Sequence, residues 1–145
     1  MNKAVMLLGI AAAAFVASWF LPVMPESTGW QAFRIAFSPV WRYHGFTFSR
    51  WYEAAIAAAS ALTNVAFIVA WLAVALRRVA ATRWLAAGLA LLGVFNLYWI
   101  IALREDAADF GIGYYLWVGA FLCLALAVLA RRAMLTPPNP ASGSR

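Results

Sequence analysis

Four long apolar stretches, Ala4–Phe20, Ala54–Leu76, Trp84–Leu103 and Tyr114–Ala130, sort the charges of this chain into two sets. Each stretch is close to the roughly 20 residues a helix needs to cross the hydrocarbon core of a bilayer. Lys3, the link from Arg77-Arg78 to Arg83, and Arg131-Arg132 fall on one side of the stretches. The five acids, Glu26, Glu53, Glu105, Asp106 and Asp109, fall on the other. Basic loops are retained on the cytoplasmic side of a membrane. The pattern therefore predicts an all-α bundle of four transmembrane helices with both termini cytoplasmic and two loops outside.

The composition fits that class. At 66% hydrophobic and 11% charged residues, a soluble fold would leave large apolar patches in water. Its 145 residues predict one transmembrane domain over residues 1–135 and no separate soluble domain. The net charge of +6 does not point to nucleic acid. Seven of the basic residues lie in the cytoplasmic segments and tail, where they meet anionic lipid. The other four (Arg34, Arg42, Arg50, Arg104) accompany the five acids outside, leaving the outer face near neutral. The tail, residues 136–145, is rich in proline and small polar residues and is expected to be disordered.

The first stretch has features of a signal peptide, with Lys3 before an apolar run and Val16-Ala17-Ser18 as a weak cleavage pattern. The run continues through Trp19-Phe20-Leu21, which favours a retained anchor with Trp19 at the outer interface. Cys123 is alone in the fourth span, which leaves no internal disulfide partner and reads as a small filler. His44 is the one histidine and reads as an interfacial side chain. No metal or cofactor site is expected. The acids of the Arg104–Asp109 loop lack the ligand spacing and turn glycine of a calcium loop.

The segment 21–50 between the first two spans is dense in aromatic residues. Thr28-Gly29-Trp30-Gln31 has the spacing of a capping box, so a helix is expected to start there. Trp30, Phe33 and Phe37 then share one face, and Ser38-Pro39 stops the helix. Such an amphipathic helix would lie along the outer interface or cap the bundle. Trp41 to Arg50 is expected to form a second, extended or turning piece around Gly45. Trp30, Phe33, Phe37, Trp41 and Arg42 are the candidate partner-binding residues, since exposed Trp, Tyr and Arg make binding hot spots. The competing reading is an aromatic belt at headgroup level, with Arg34, Arg42 and Arg50 on phosphates.

No ionisable residue falls near the centre of a span; Glu53 is the nearest, at the outer edge of the second, where Arg50 can pair with it. The central polar groups are neutral: Ser60, Thr63 and Asn64 in the second span and Asn96 in the third. Ser60 and Asn64 share a helical face, and antiparallel packing would bring Asn64 and Asn96 within one turn of each other. The main expectation for Ser60, Asn64 and Asn96 is structural packing. The alternative is a polar lining for a ligand or quinone headgroup. Gly9, Ala13 and Ala17, and Gly119, Cys123 and Ala127, form rows of small residues that allow close approach, within the bundle or across a dimer.

Phe20-Leu21-Pro22 leaving the first span, Gly29-Trp30 outside, Ala61-Leu62-Thr63-Asn64 in the second span and Gly113-Tyr114-Tyr115-Leu116-Trp117 entering the fourth carry a family likeness. In the order of these features the chain resembles small four-helix inner-membrane proteins of Gram-negative bacteria. The resemblance implies topology and compartment, and no activity. Small multidrug transporters look similar in length and span count but carry a glutamate in the first span, where Ala4–Phe20 has no acid. The leading functional expectation is a non-enzymatic accessory or scaffolding subunit of a larger inner-membrane complex, held by lipids and by a membrane-protein partner or further copies of itself. An immunity-type protein against a periplasm-delivered toxin and a small oligomeric transporter or channel are the alternatives. An enzyme or electron carrier is disfavoured, because no nucleophile–base pair, paired carboxylates or haem ligands can be read in the chain.

Overall fold

A computed structural model describes residues 2–43, 47–77, 80, 82–103 and 109–135. In chain order these form α1 (Lys3–Phe20), β1 (Pro22–Met24), β2 (Ser27–Thr28), α2 (Gly29–Ala36), α3 (Trp51–Ala75), α4 (Arg83–Asn96), α5 (Tyr98–Ala102) and α6 (Ile112–Leu135). Among the described residues, α1, α3, the α4–α5 pair and α6 are long and apolar enough to cross a membrane. That agrees with the expected four spans. Arg78, His44 with Gly45, Arg104 with Glu105 and Asp106, and the tail 136–145 lie outside the described residues.

The helix starts follow local chemistry. Asn2 caps α1, its side chain accepting from the Ala4 N–H at 3.0 Å. Thr82 caps α4 by accepting from Leu85 N–H at 3.1 Å. Gln31 reaches back to the Thr28 N–H at 2.9 Å, so α2 begins where the capping-box spacing placed it. At the other end α2 stops at Ala36, and residues 37–40 turn before Trp41.

The fourth span organises the bundle. α6 packs along α1 on one side and α4 on the other. Small side chains make this close approach possible: Ala11, Ala86, Ala120 and Ala127 are buried. A Cβ on Gly93 would stand 3.1 Å from that of Phe121. The expected row Gly9, Ala13, Ala17 is not part of this seam. Gly9 and Ala13 are exposed, and a Cβ on Gly9 would meet nothing within 4 Å. α1 instead turns Ala4, Ala11, Phe15 and Ser18 inward. The row was read from residue size, but the inward face is set by where Phe15 and Ser18 find partners. Cys123 packs at the edge of the core, as a small filler would.

α3 is joined to the rest differently, through long side chains. Phe67 stacks on Phe15 with ring centroids 4.2 Å apart and meets Phe121 edge-on at 5.1 Å. Trp71 Nε1 donates to the Leu8 carbonyl of α1 at 3.0 Å. Arg131 of α6 donates to the Val74 carbonyl near the end of α3, where a cation also suits the helix dipole.

Two departures from the sequence expectation shape the end of the bundle at which α1 stops and α3 starts. The residues after α1 form an antiparallel hairpin, with Pro22 opposite Thr28 and Met24 opposite Ser27, where only a loop was expected. The Gly111 N–H donates to the Val23 carbonyl at 3.0 Å, and Val23 is buried against Phe110, Tyr114 and Val118. This docking needs glycine. A Cβ on Gly111 would lie 2.3 Å from the Pro22 carbonyl oxygen, and one on Gly113 would lie 2.8 Å from that of Leu21. The second departure is the third span, expected as one helix over 84–103, which breaks at Leu97.

Candidate functional site

Asn96 explains that break. Its Nδ2 donates to the Leu92 carbonyl four residues earlier at 2.9 Å and to Thr63 Oγ1 at 3.1 Å. A side chain that bonds back to its own helix competes with the ladder and bends it. The Tyr114 hydroxyl of α6 then donates to the Asn96 carbonyl at 2.6 Å. A carbonyl freed inside an apolar medium is thus satisfied by a neighbouring helix. Ser60 Oγ donates to Asn96 Oδ1 at 2.7 Å and accepts from Trp99 Nε1 at 3.2 Å. Three helices meet at this one fully buried amide.

Asn64 lies one turn deeper, within the one-turn separation from Asn96 that was expected, and has partners of its own. Its Oδ1 accepts from Trp117 Nε1 at 2.9 Å, and its Nδ2 donates to the Ala61 carbonyl at 3.1 Å. Asn64 and Asn96 do not bond each other, because Asn96 stands at the level of Ser60 and Thr63. Among the described residues no buried side-chain polar atom is left without a partner. The expectation of structural packing for Ser60, Asn64 and Asn96 therefore has a concrete form. Interhelical bonds of this kind contribute about 0.6–2 kcal/mol each.

Above this polar layer lies a cavity of about 340 Å³, near the lower end of the roughly 300–1,000 Å³ typical of small-ligand sites. Its floor is formed by Ala57, Ser60, Ala61 and Asn64 of α3, with Trp99, Tyr114 and Trp117 beside them. Its roof is a cap made by Val23, Met24 and Ser27 of the hairpin and Ala32, Phe33 and Ala36 of α2. Among the described residues, no Asp, Glu, Lys or Arg lines it. The cavity follows from the packing, since α3 is held off from its neighbours by the aromatic side chains described above.

The cap is itself an aromatic assembly. Trp19 of α1 stacks under Trp30 at 5.4 Å and Phe33 at 5.3 Å, and Phe37 continues the row 5.7 Å from Phe33. The predicted face of Trp30, Phe33 and Phe37 is therefore partly spent on holding α2 to the bundle. Trp19 belongs to this stack, and Phe20, at 76% exposure, takes the outward position that Trp19 was expected to hold. On the far side of α2 the Arg34 guanidinium lies 5.9 Å from the Trp30 ring, 5.4 Å from Trp41 and 5.1 Å from Tyr43. Arg42, the expected cation of this surface, is exposed, and the aromatic contacts belong to Arg34.

At the start of α3, Arg50 stands 3.9 Å from Glu53 and donates to the Tyr52 hydroxyl. The Tyr52 bond, and then the Glu53 charge, raise the Arg50 pKa. Exposed pairs of this kind add little stability.

Sequence reasoning named Ser60, Asn64 and Asn96 but passed over Trp99, Tyr114 and Trp117. A signal for them existed. A Trp or Tyr in an apolar span needs a partner for its N–H or O–H, and the residues already named are polar groups within such spans. No protein family, curated protein or solved structure matches the chain.

Proposed function

We propose that this chain is a multi-pass protein of the bacterial inner membrane, with both termini cytoplasmic, that works by binding as an accessory subunit of a larger membrane complex. The charge distribution supports the orientation. Lys3, Arg77, Arg83, Arg131 and Arg132 stand at one end of the described structure, and Glu26, Glu53 and Asp109 at the other. A basic end of this kind faces the cytoplasm.

The observation that carries the binding reading is the Arg34 cluster. Trp41 is 66% exposed and Trp30 47%, yet both rings are held beside one guanidinium. Cation–π contacts of this geometry contribute about 0.5–1 kcal/mol each when exposed, which biases the rings toward this arrangement in advance of binding. Prearranged Trp and Arg on a protein surface form the usual centre of a partner interface. The same rings on the outer face would also suit lipid headgroups, and the test separates the two.

Trp41 is the better probe, because Trp30 also holds α2 in place. The wild type and Trp41→Ala are purified in one mild detergent and scored for stoichiometric co-purifying membrane proteins. Loss of a central aromatic anchor should cost about 2 kcal/mol of association, close to a thirtyfold loss. Retention of a partner by Trp41→Ala, or no partner for the wild type, would leave the rings as a headgroup belt.

A further inference from the structure

We propose that the cavity beneath the outer cap binds an uncharged, membrane-soluble flat ring carrying carbonyl groups, the chemistry of a quinone headgroup, with Asn64 as its hydrogen-bond donor. This inference concerns the interior of the bundle and does not rest on the Arg34, Trp30 and Trp41 cluster.

Asn64 supplies the first argument. A carboxamide has two N–H donors and an oxygen with two lone pairs. Asn64 uses one N–H on Ala61 and one lone pair on Trp117. The remaining N–H and lone pair belong to a side chain that is only 5% exposed and lines the cavity. In an apolar medium a spare amide hydrogen is costly to leave unmade. Asn96, by contrast, spends both N–H groups and is not among the residues that line this cavity. The difference between the two amides marks Asn64 as the one with capacity to offer.

The walls define the rest of the ligand. Trp99, Trp117, Tyr114 and Phe33 surround the space with ring faces and edges, which favour a flat conjugated partner over a flexible chain. Trp99, Trp117 and Tyr114 have already committed their donors to Ser60, Asn64 and Asn96, so they present ring surface. With no Asp, Glu, Lys or Arg among the described lining residues, an anion or cation would lose its hydration without compensation from them. A carbonyl needs only the one donor. Ser27 lines the same cavity from the roof side. The cavity volume suits a ring, and an attached apolar tail would remain among the spans.

Equilibrium binding of decyl-substituted benzoquinone to the purified full chain, followed by dialysis in mild detergent, tests the assignment. Decylbenzene, which has the same tail and a ring without carbonyls, is the control ligand. The wild type should bind the quinone saturably and at least tenfold tighter than decylbenzene. Asn64→Leu should remove that tenfold preference and leave decylbenzene binding unchanged. Ala57→Phe fills the floor without touching a hydrogen bond, and should abolish binding of both ligands while thermal unfolding stays cooperative. Trp41→Ala should leave quinone binding unaltered, so failure of the partner reading and failure of this one are distinct results. Equal affinity for the two ligands, a preference that survives Asn64→Leu, or binding undiminished in a folded Ala57→Phe protein would overturn the proposal.

Discussion

Asn96 and Asn64 are the same residue type in neighbouring helices, yet they do different work. Asn96 ties Ser60, Thr63 and, through its carbonyl, Tyr114. Its replacement by alanine strands partners on α3 and removes the bond that bends α4. Asn96→Ala should lower stability by about 2 kcal/mol. Asn64→Ala, which frees the Trp117 indole and removes a bond to the Ala61 carbonyl of its own helix, should cost about 1 kcal/mol. Thermal unfolding in mild detergent checks the order, and a larger loss at Asn64 would mean that Asn64 is the junction. The residue types of this layer were legible in the chain, because a neutral amide in an apolar span draws notice. Their pairing was not. Whether Asn96 meets Ser60 or Asn64 depends on a vertical offset of one turn between two helices, and a sequence carries no marker for that offset.

Among the elements, the hairpin and the glycines that seat it were the least visible. Strands of three and two residues are too short for periodicity to register. Gly111 and Gly113 let the Leu21 and Pro22 carbonyls come close, a contact between separate elements. α2 was legible because its signal is local: a cap, a spacing and a stop within eleven residues from Thr28 to Ser38. Its attachment by Trp19 was not, because that contact joins separate elements. Gly111→Ala forces backbone apart and should destabilise the protein by about 1–3 kcal/mol. Gly9→Ala, with open space around its Cβ position, should be neutral or stabilising by up to about 1 kcal/mol through helix propensity. Chemical or thermal unfolding of the two variants side by side checks the contrast. Equal effects would mean that the two glycines stand in similar surroundings.

At the scale of the whole molecule, the four spans were legible from length and apolar composition alone, because the bilayer admits few other solutions. The proposed orientation makes a direct prediction. With Cys123 replaced by alanine, single cysteines at Glu26 or Asp109 should react with a membrane-impermeant thiol reagent in intact cells. Those at Arg77 or Arg132 should react only after lysis, and the reverse pattern would invert the molecule. A different consequence follows from α6 lying between α1 and α4. The span that seats the others is the last of the four to leave the ribosome. Until it arrives, Asn64 lacks the Trp117 indole, the bend at Leu97 lacks the Tyr114 hydroxyl, and the hairpin has no floor. Synthesis therefore passes through a three-span stage in which these polar groups wait in the lipid, open to membrane quality control. A chain stopped after Leu103 should insert and then be degraded quickly in a pulse-chase, whereas the full chain persists, so assembly of this bundle is decided by its final helix.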